Sequence, residues 1–223
     1  MKKLNIGIIL DGNRRFAKRL MKEPWKGHEY GAKKLNSLLE WCKEFKIKEL
    51  TLYCLSIENF NRPKKEFNYL MKVFKKEAEN ILKDPRIDKE KIKINFIGKI
   101  NLLDKDLQGL IKKIKNKTKS YKNHIINIAI AYGGRQEIIN TIKKLIKFKK
   151  PINEKNFQKE LWISNEPDFI IRTGGEKRTS NFLPWQSTYS EWFFLDKMWP
   201  EFEKKDLQNC IQEFYTRQRR FGK

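Results

Sequence analysis

The chain of 223 residues carries a formal net charge of +23, because 50 lysines and arginines face only 27 aspartates and glutamates. This excess of positive charge leaves three partner classes open: nucleic acid, an anionic membrane surface and a polyanionic small substrate. A chain of this length suits one domain or at most two small ones and folds without disulfides or metals. Its 3 cysteines show no metal-binding spacing. No apolar run reaches the ~18 residues of a membrane span, and the first residues do not resemble a signal peptide, so a cytoplasmic protein is expected.

Six short apolar runs predict the strands of one sheet. In chain order they are LNIGIIL (4–10), ELTLYCLS (49–56), IKINFIG (92–98), IINIAIAY (125–132), DFIIRT (168–173) and SEWFFLD (190–196). Most are continuously apolar rather than alternating, which is typical of strands covered on both faces of a parallel sheet.

Between these runs, apolar residues recur with the helical period of 3.6 residues. The clearest cases cover 29–45 and 64–82, and shorter ones cover 103–114, 138–146 and 207–214. The segment KDPRIDKEK (83–91) is interpreted as a polar connection. Alternation of strands and helices predicts an α/β fold, a single domain with a central, mostly parallel sheet of about six strands flanked by helices.

Arginines and glycines cluster directly after the predicted strands. The first run is followed by DGNRR (11–15), the second by SIENFNR (56–62), the fourth by YGGR (132–135) and the fifth by RTGGEKRTS (172–180), and seven of the 11 arginines lie in or beside these segments. Because ligands of open α/β sheets bind beyond the carboxyl ends of the strands, we expect these segments to meet at one edge. Guanidinium groups and accessible backbone N–H groups together suit a diphosphate.

Other site chemistries fit the sequence less well. Nucleotide-binding motifs of the G-x-x-x-x-G-K-[ST] and G-x-G-x-x-G types do not occur, and neither does the G-x-S-x-G motif of hydrolases. His28 and His124 are the only histidines, which excludes a multi-histidine metal site. Taken alone, each basic or glycine-rich segment does not indicate a binding site; Gly12 and Asn13, for example, also suit a simple turn. The diphosphate hypothesis therefore depends on their shared placement after strands.

Five segments resemble the cis-prenyltransferases, the family that includes the bacterial undecaprenyl diphosphate synthases. They are DGNRRFAK…GHEYGAKKL, TLYCLSIENFNRPKKE, NIAIAYGGRQEI, PDFIIRTGGEKRTSNFLPWQSTYSEWFF and RQRRFG, in order from about residue 4 to 222. The D-D-x-x-D motif of the trans-type synthases does not occur in the sequence.

The resemblance implies one catalytic domain over residues 1–223 with a hydrophobic tunnel. It also implies Mg²⁺-dependent extension of farnesyl diphosphate by isopentenyl diphosphate, with new cis double bonds. The expected product is undecaprenyl diphosphate, the lipid carrier for cell-wall glycans. A homodimer at the inner face of the cytoplasmic membrane is implied, with peripheral contact to lipid for product release and no role for nucleic acid.

The same resemblance assigns roles to individual residues. Asp11 matches the aspartate that holds Mg²⁺ against diphosphate, and Asn59 matches the asparagine of the condensation step or its proton transfer; both are predicted to be catalytic. Glu191 matches a second acidic position tied to the metal. The remaining predicted substrate-binding residues are Gly12, Asn13, Arg14, Arg15, Phe16, His28, Ser56, Ile57, Glu58, Phe60, Arg62, Arg172, Arg178, Thr179, Ser180, Arg220 and Gly222.

Three positions depart from the pattern of the family. Relatives usually carry glycine where this chain has Arg14, tryptophan where it has Phe16, and an arginine where it has Pro24, four residues before His28. Arg14 is therefore either an added phosphate clamp or a solvated side chain. Lysines near Pro24 supply charge there, but not the bidentate fork of an arginine.

The implied chemistry makes two further predictions. An amide is a poor base, so Asn59 is expected to position substrate, and a diphosphate oxygen is the expected proton acceptor. The growing chain is apolar and needs an apolar tunnel. The helices over 29–45 and 64–82 are expected to line it through Leu38, Leu70, Met71 and Phe74, although each of these also suits an ordinary core.

Two other functions remain open at this point. A non-catalytic scaffold subunit of a heteromeric prenyltransferase typically lacks the aspartate of the first motif, so Asp11 favours an active enzyme. A nucleic-acid-binding protein would interleave aromatic and basic side chains on one surface. The aromatic segment WQSTYSEWFF instead has the pattern of a buried strand and its approach.

Overall fold

The apolar runs form the six strands of one sheet in the computed structural model, which describes residues 3–218. The strands are β1 (Leu4–Ile9), β2 (Ile47–Tyr53), β3 (Ile92–Ile97), β4 (His124–Ala129), β5 (Phe169–Arg172) and β6 (Glu191–Phe194). Each strand begins within two residues of its predicted start, and after β1, β2, β4 and β5 the chain continues into the segments that were predicted to form a site.

The helices alternate with the strands as predicted, with three additions. The helices are α1 (Asn13–Arg19), α2 (Gly27–Glu44), α3 (Lys64–Lys83), α4 (Pro85–Lys89), α5 (Lys105–Thr118), α6 (Gly134–Lys147), α7 (Glu154–Glu160) and α8 (Lys204–Thr216). Short 3-10 turns cover Pro24–Lys26, Ile57–Asn61, Ile100–Leu102 and Trp199–Glu201. The additions are α1, α4 and α7.

The helix α4 corrects the interpretation of 83–91 as a plain polar connection. Asp84 caps this helix, since its carboxylate accepts the backbone N–H of Arg86 at 2.9 Å. Pro85 occupies the first helical position, where its missing N–H costs nothing. A cap and a proline therefore start a short helix in a segment with too few apolar residues to show a period.

All pairings in the sheet are parallel, and the strand order is β3-β4-β2-β1-β5-β6. The prediction of one α/β domain with a mostly parallel six-stranded sheet is confirmed. From β1 the chain passes to β2 on one side, whereas β5 lies on the other side of β1 and leads on to β6. The order reverses between β1 and β5, and such a reversal opens a crevice at the carboxyl ends of the two strands.

The largest apolar core packs one face of the sheet against α2, α3, α5 and α8. On the opposite face, a smaller core surrounds Tyr132, Phe182 and Leu183, all fully buried. Burial on both faces explains why the strands are continuously apolar in sequence. Within residues 3–218, none of the helices has both the length and the apolar character that crossing a membrane requires.

Candidate active site

The crevice between β1 and β5 brings together two predicted site residues. Asp11 follows the end of β1, and Arg172 is the last residue of β5. The Nη2 atom of Arg172 donates to Oδ2 of Asp11 at 2.8 Å, and the guanidinium is only 4% exposed. The other carboxylate oxygen accepts the backbone N–H of Gly12 at 2.6 Å and lies 3.4 Å from Nη2 of Arg15. A partly exposed carboxylate is therefore held among cationic and N–H donors.

Two glycines allow the loops to approach this carboxylate closely. Gly12 has φ +100°, and a Cβ there would lie 2.8 Å from Cβ of Met198. Gly174 has φ +88°, and its Cβ would lie 2.6 Å from Nη2 of Arg15. Both positions combine a left-handed backbone with close contact, which glycine alone accommodates without strain.

Trp199 holds the loop after β1 in place, and it was not among the site residues predicted from the sequence. Its backbone N–H donates to the carbonyl of Asp11 at 2.9 Å, and its indole N–H donates to the carbonyl of Gly31 at 2.9 Å. The side chain is completely buried. One residue thus joins the end of β1 to helix α2.

A cavity of about 910 Å³, here called the main cavity, begins at Asp11 and extends between the sheet and helices α2 and α3. Predicted site residues line its polar end: Asp11, Asn13, His28, Ser56, Glu58, Asn59, Arg62, Arg172, Arg178, Thr179 and Ser180. Apolar side chains line the rest, among them Leu35, Leu52, Leu70, Val73, Phe74, Ala78, Ile81, Phe96, Leu107, Ile128 and Ile130. The arrangement offers one charged end for an anion and one apolar end for a hydrocarbon chain.

Only half of the predicted tunnel residues line this cavity. Leu70 and Phe74 do so. Leu38 and Met71 are buried in the core outside the cavity wall, with exposures of 0% and 7%. These two residues fit the alternative that the sequence left open, an ordinary position in the core, because both belong to the apolar cluster that packs against the sheet.

The second predicted loop is shaped by a 3-10 turn over Ile57–Asn61. Oδ1 of Asn59 accepts the backbone N–H of Ser56 at 3.2 Å, which orients the amide at the cavity wall. The backbone N–H of Ile57 donates to the carbonyl of Tyr132 at 2.9 Å and anchors the turn to the sheet. Phe60 stands outside the cavity wall and packs on Phe67, with ring centroids 4.9 Å apart.

A buried carboxylate organises the arginines on this side of the cavity. Glu66 is 2% exposed, and its Oε1 accepts Nη1 of Arg62 at 3.0 Å. The same Arg62 atom lies 3.4 Å from Nε2 of His28. Arg14, whose role the sequence left open, lies with Nε 3.4 Å from Oε1 of Glu66 while almost half of its side chain is exposed. Arg14 therefore forms a second, outer ion pair with Glu66.

His28 is neutral in this environment. Burial and, after it, the neighbouring charges of Arg62 and Arg14 together lower its pKa from 6.5 to about 4. A neutral imidazole can accept one hydrogen bond and donate another, so His28 can contact a substrate oxygen without carrying charge.

This pKa predicts a pH-dependent stability. Below about pH 6.5 the unfolded chain protonates His28 and the folded chain does not, so acid favours unfolding. We expect the free energy of unfolding to fall by up to about 3 kcal/mol between pH 6.5 and 4 from this group. Urea unfolding of wild type and His28→Gln across this range measures it. The variant should lose that part of the slope, whereas His124→Gln should keep it; equal slopes in all three proteins would contradict the assignment.

The loop after β5 supplies the remaining predicted contacts. Nη1 of Arg172 donates to Oγ of Ser180 at 2.8 Å and to the carbonyl of Arg178. The Arg178 side chain is 61% exposed and pairs with Glu176 at 2.5 Å. Arg178 therefore stands at the cavity mouth, where an incoming anion can replace its carboxylate partner.

Asn181 belongs to the site although the sequence analysis did not single it out. Its Oδ1 accepts the backbone N–H of Arg135 at 2.8 Å, and its Nδ2 donates to Glu58 at 3.2 Å and to Gln136 at 3.3 Å. It thereby joins the loops after β2, β4 and β5. Its position beside Ser180 is the one signal in the sequence that points to it.

Several predicted residues are not brought to the cavity. Glu191 begins β6 at the amino edge of the sheet, opposite the edge that carries Asp11, and pairs with Arg217 at 2.7 Å. The structure therefore does not place Glu191 and Asp11 around one ion. Phe16 packs edge-on against Tyr30 with centroids 5.3 Å apart. Predicted residues Arg220 and Gly222 lie outside the described residues.

Asp11 is the carboxylate best placed to hold a cation. Across residues 3–218, no three side chains of Asp, Glu, His or Cys form a ready metal cluster. Mg²⁺ commonly binds through one or two carboxylates and completes its octahedron with water and substrate phosphate oxygens. A single carboxylate at the mouth of an anion-binding cavity fits that donor set.

Comparison with known proteins gives consistent matches. Residues 9–222 match a sequence family described as "Putative undecaprenyl diphosphate synthase". The chain is 44% identical over 228 residues to a tritrans,polycis-undecaprenyl-diphosphate synthase (geranylgeranyl-diphosphate specific) from Methanopyrus kandleri, covering 98% of this chain and 84% of that protein. It is 38% identical over 232 residues to an isoprenyl transferase from Thermus thermophilus, covering 98% and 88%.

Two solved structures are also similar. One is described as a probable undecaprenyl diphosphate synthase from Campylobacter jejuni, with TM-score 0.86, 32% identity and 100% of both chains covered. The other is lavandulyl diphosphate synthase from Lavandula x intermedia in complex with dimethylallyl diphosphate, with TM-score 0.90, 29% identity and 98% of both chains covered.

Proposed function

Since the chain belongs to the undecaprenyl diphosphate synthase family of cis-prenyltransferases, whose activity is cis-prenyl chain elongation, we propose that Asp11 and the surrounding arginines catalyse this reaction with Mg²⁺. The observation that carries the proposal is the main cavity, which has a cationic end beside Asp11 and an apolar remainder. An allylic diphosphate is the substrate class that presents an anion and a hydrocarbon chain in that order.

The residues at the polar end of the main cavity have different proposed roles. Asp11 would hold Mg²⁺, which neutralises charge on the leaving diphosphate when it is bound. Arg15 and Arg62 stand on the allylic side, and Arg172 and Arg178 stand at the loop proposed for isopentenyl diphosphate. Preorganised donors of this kind stabilise charge that grows on the leaving oxygen without reorganising at the moment of reaction.

Asn59 is proposed to position the isopentenyl unit, with a diphosphate oxygen as the proton acceptor. Its amide is held by the N–H of Ser56 and lines the same cavity as Arg62 and Arg172. An amide cannot act as an effective base near neutral pH, whereas a fixed amide can hold the reacting double bond close to the allylic carbon.

The apolar part of the main cavity is proposed to receive the growing chain. Each buried CH₂ group contributes about 0.8 kcal/mol, so the hydrocarbon favours the cavity over water. The predicted primer is farnesyl diphosphate, but the relatives at 42–44% identity are named as specific for geranylgeranyl diphosphate. Both primers are therefore candidates, and undecaprenyl diphosphate as the product, its use in cell-wall synthesis, the homodimer and peripheral membrane contact remain proposals.

The direct test is incubation of the purified chain with labelled isopentenyl diphosphate and either primer, followed by sizing of the products. We expect a ladder of prenyl products that disappears when a chelator removes Mg²⁺. The primer that gives the higher initial rate identifies the preferred substrate. Absence of product with both primers and Mg²⁺ would favour the scaffold-subunit alternative instead.

A further inference from the structure

Three consecutive residues at the end of β5 approach Asp11, and the middle one has none of the roles proposed above. Arg172 holds the carboxylate of Asp11, and a Cβ at Gly174 would lie 3.1 Å from its carbonyl carbon. Between them, Thr173 is completely buried, and its Oγ1 donates to the carbonyl of Asp11 at 2.8 Å. A buried hydroxyl therefore contacts the main chain of the residue whose carboxylate is proposed to hold a cation.

The proton of this hydroxyl is donated to Asp11 rather than to Ile9. A threonine hydroxyl has only one proton to donate. Oγ1 of Thr173 also lies 3.3 Å from the carbonyl of Ile9. That carbonyl already accepts the backbone N–H of Asp11 at 3.0 Å and the backbone N–H of Thr173 at 3.4 Å. The carbonyl of Asp11 is the closer acceptor, so the hydroxyl bond belongs to it.

Two donors thus fix the carbonyl of Asp11, since the backbone N–H of Trp199 also donates to it at 2.9 Å. A carbonyl oxygen has two lone pairs, so both are in use and this oxygen is not free to bind a cation. Because a trans peptide group is planar, its N–H points away from its C=O. Fixing this carbonyl therefore also fixes the N–H of Gly12, which donates to Oδ1 of Asp11 at 2.6 Å.

We propose that Thr173 is a positioning residue for the cation. Its hydroxyl orients the peptide group between Asp11 and Gly12, and through that group the carboxylate of Asp11. This inference rests on the proposed function, which assigns the cation to Asp11. Groups that bind a metal are themselves held by hydrogen bonds, and loss of such a partner costs roughly 10- to 100-fold in metal affinity. Thr173 does not line the main cavity, so it acts through Asp11 and not on the substrate.

Thr173→Val tests the proposal, because valine has nearly the shape of threonine but has no hydroxyl. The readout is the dissociation constant of Mn²⁺, which prefers the same oxygen ligands as Mg²⁺ and is followed by electron paramagnetic resonance. Farnesyl thiodiphosphate, an unreactive analogue of an allylic substrate, is present with isopentenyl diphosphate, so the complex does not turn over. We expect Thr173→Val to raise this dissociation constant by roughly tenfold. Without metal, its affinity for the analogue should equal that of wild type, because the arginines are unchanged.

The matched control is Thr118→Val. Thr118 on α5 is also completely buried, and its hydroxyl donates to the carbonyl of Ile114 at 3.0 Å, away from the main cavity. The same hydroxyl accepts the N–H of Ile94 at 3.1 Å, so urea unfolding should show that this control loses at least as much stability as Thr173→Val. The control should bind Mn²⁺ as wild type does. A role in stability alone would leave Mn²⁺ binding unchanged in both variants.

A second pair keeps the test decisive if valine disturbs the packing. Thr173→Ser and Thr173→Ala both lose the methyl group and differ only in the hydroxyl. Serine should retain the Mn²⁺ affinity of wild type, whereas alanine should lose it as valine does. In turnover with labelled isopentenyl diphosphate, alanine should also need a higher Mg²⁺ concentration for half-maximal rate than serine, at an unchanged KM for the primer.

The possible results separate this inference from the proposed function. Equal Mn²⁺ binding by wild type and Asp11→Asn would refute the role of Asp11 itself, and the inference with it. If Asp11→Asn loses the ion but Thr173→Val and Thr173→Ala bind it as tightly as wild type, the inference about Thr173 is overturned and the function stands. An equal loss of affinity in Thr173→Ser and Thr173→Ala would also overturn it, because the methyl group and not the hydroxyl would then be responsible.

Discussion

Replacing Asp11 with asparagine is expected to lower turnover by at least about 10³-fold. The substitution preserves the size and shape of the side chain and keeps one of the two oxygens that accept from Arg172 and from the N–H of Gly12. It removes the negative charge that a hard cation requires at this point to bind between the side chain and the diphosphate. The loss should therefore appear in kcat while the protein stays folded.

The matched control is Asp106→Asn. Asp106 is an exposed carboxylate on α5 that pairs with Lys75, away from the main cavity. Measured with labelled isopentenyl diphosphate, this control should keep wild-type turnover. Near-normal activity of Asp11→Asn at saturating Mg²⁺ would show that the carboxylate is dispensable and would refute its proposed role.

Replacing Arg62 with methionine is expected to destabilise the fold by about 3 kcal/mol, far more than the same change at Arg14. Both arginines pair with Glu66, whose side chain is 3% exposed. Arg62 makes the shorter contact at 3.0 Å and is itself mostly buried, so its loss leaves a carboxylate without its main partner. Arg14 is nearly half exposed, and such pairs contribute less than about 1 kcal/mol.

Urea unfolding of Arg62→Met and Arg14→Met measures this difference directly. Adding Glu66→Gln to Arg62→Met should recover part of the stability, because a neutral amide tolerates burial better than an unpaired carboxylate. Equal destabilisation by the two arginine variants would contradict the ranking. Arg62→Met should also weaken substrate binding, since Arg62 lines the main cavity and Arg14 does not.

The sequence predicts the sheet well because strands that are buried on both faces consist of consecutive apolar residues. The central strands β1, β2 and β5 are buried on both sides, so continuous apolar runs such as LNIGIIL indicate them. Helix α1 has no comparable apolar pattern in the sequence. It has 7 residues, and Ala17 is its one buried residue, so no apolar period can be read from it.

The site is predictable in part because its residues follow the strands, and the topology then brings those ends together. Arg14 shows where this reasoning stops, since its partner Glu66 belongs to a different helix and no local pattern connects them. Trp199 and Asn181 are similar cases, because their contacts with Gly31 and Arg135 depend on the tertiary fold. Glu191 matched the family by sequence, but the strand register assigns it to the other edge of the sheet.

The ion pair between Asp11 and Arg172 joins residues 161 positions apart in the chain, and Trp199 supports the same loop from further on. A ribosome therefore synthesises most of the polypeptide before the polar end of the main cavity can form. Nascent or prematurely terminated chains that lack β5 carry the first arginines without their partners, so they cannot form the anion site. The order of translation thus delays catalytic activity until synthesis is nearly complete. Proteolytic removal of the segment after α7 should likewise abolish activity, even if the first four strands remain folded.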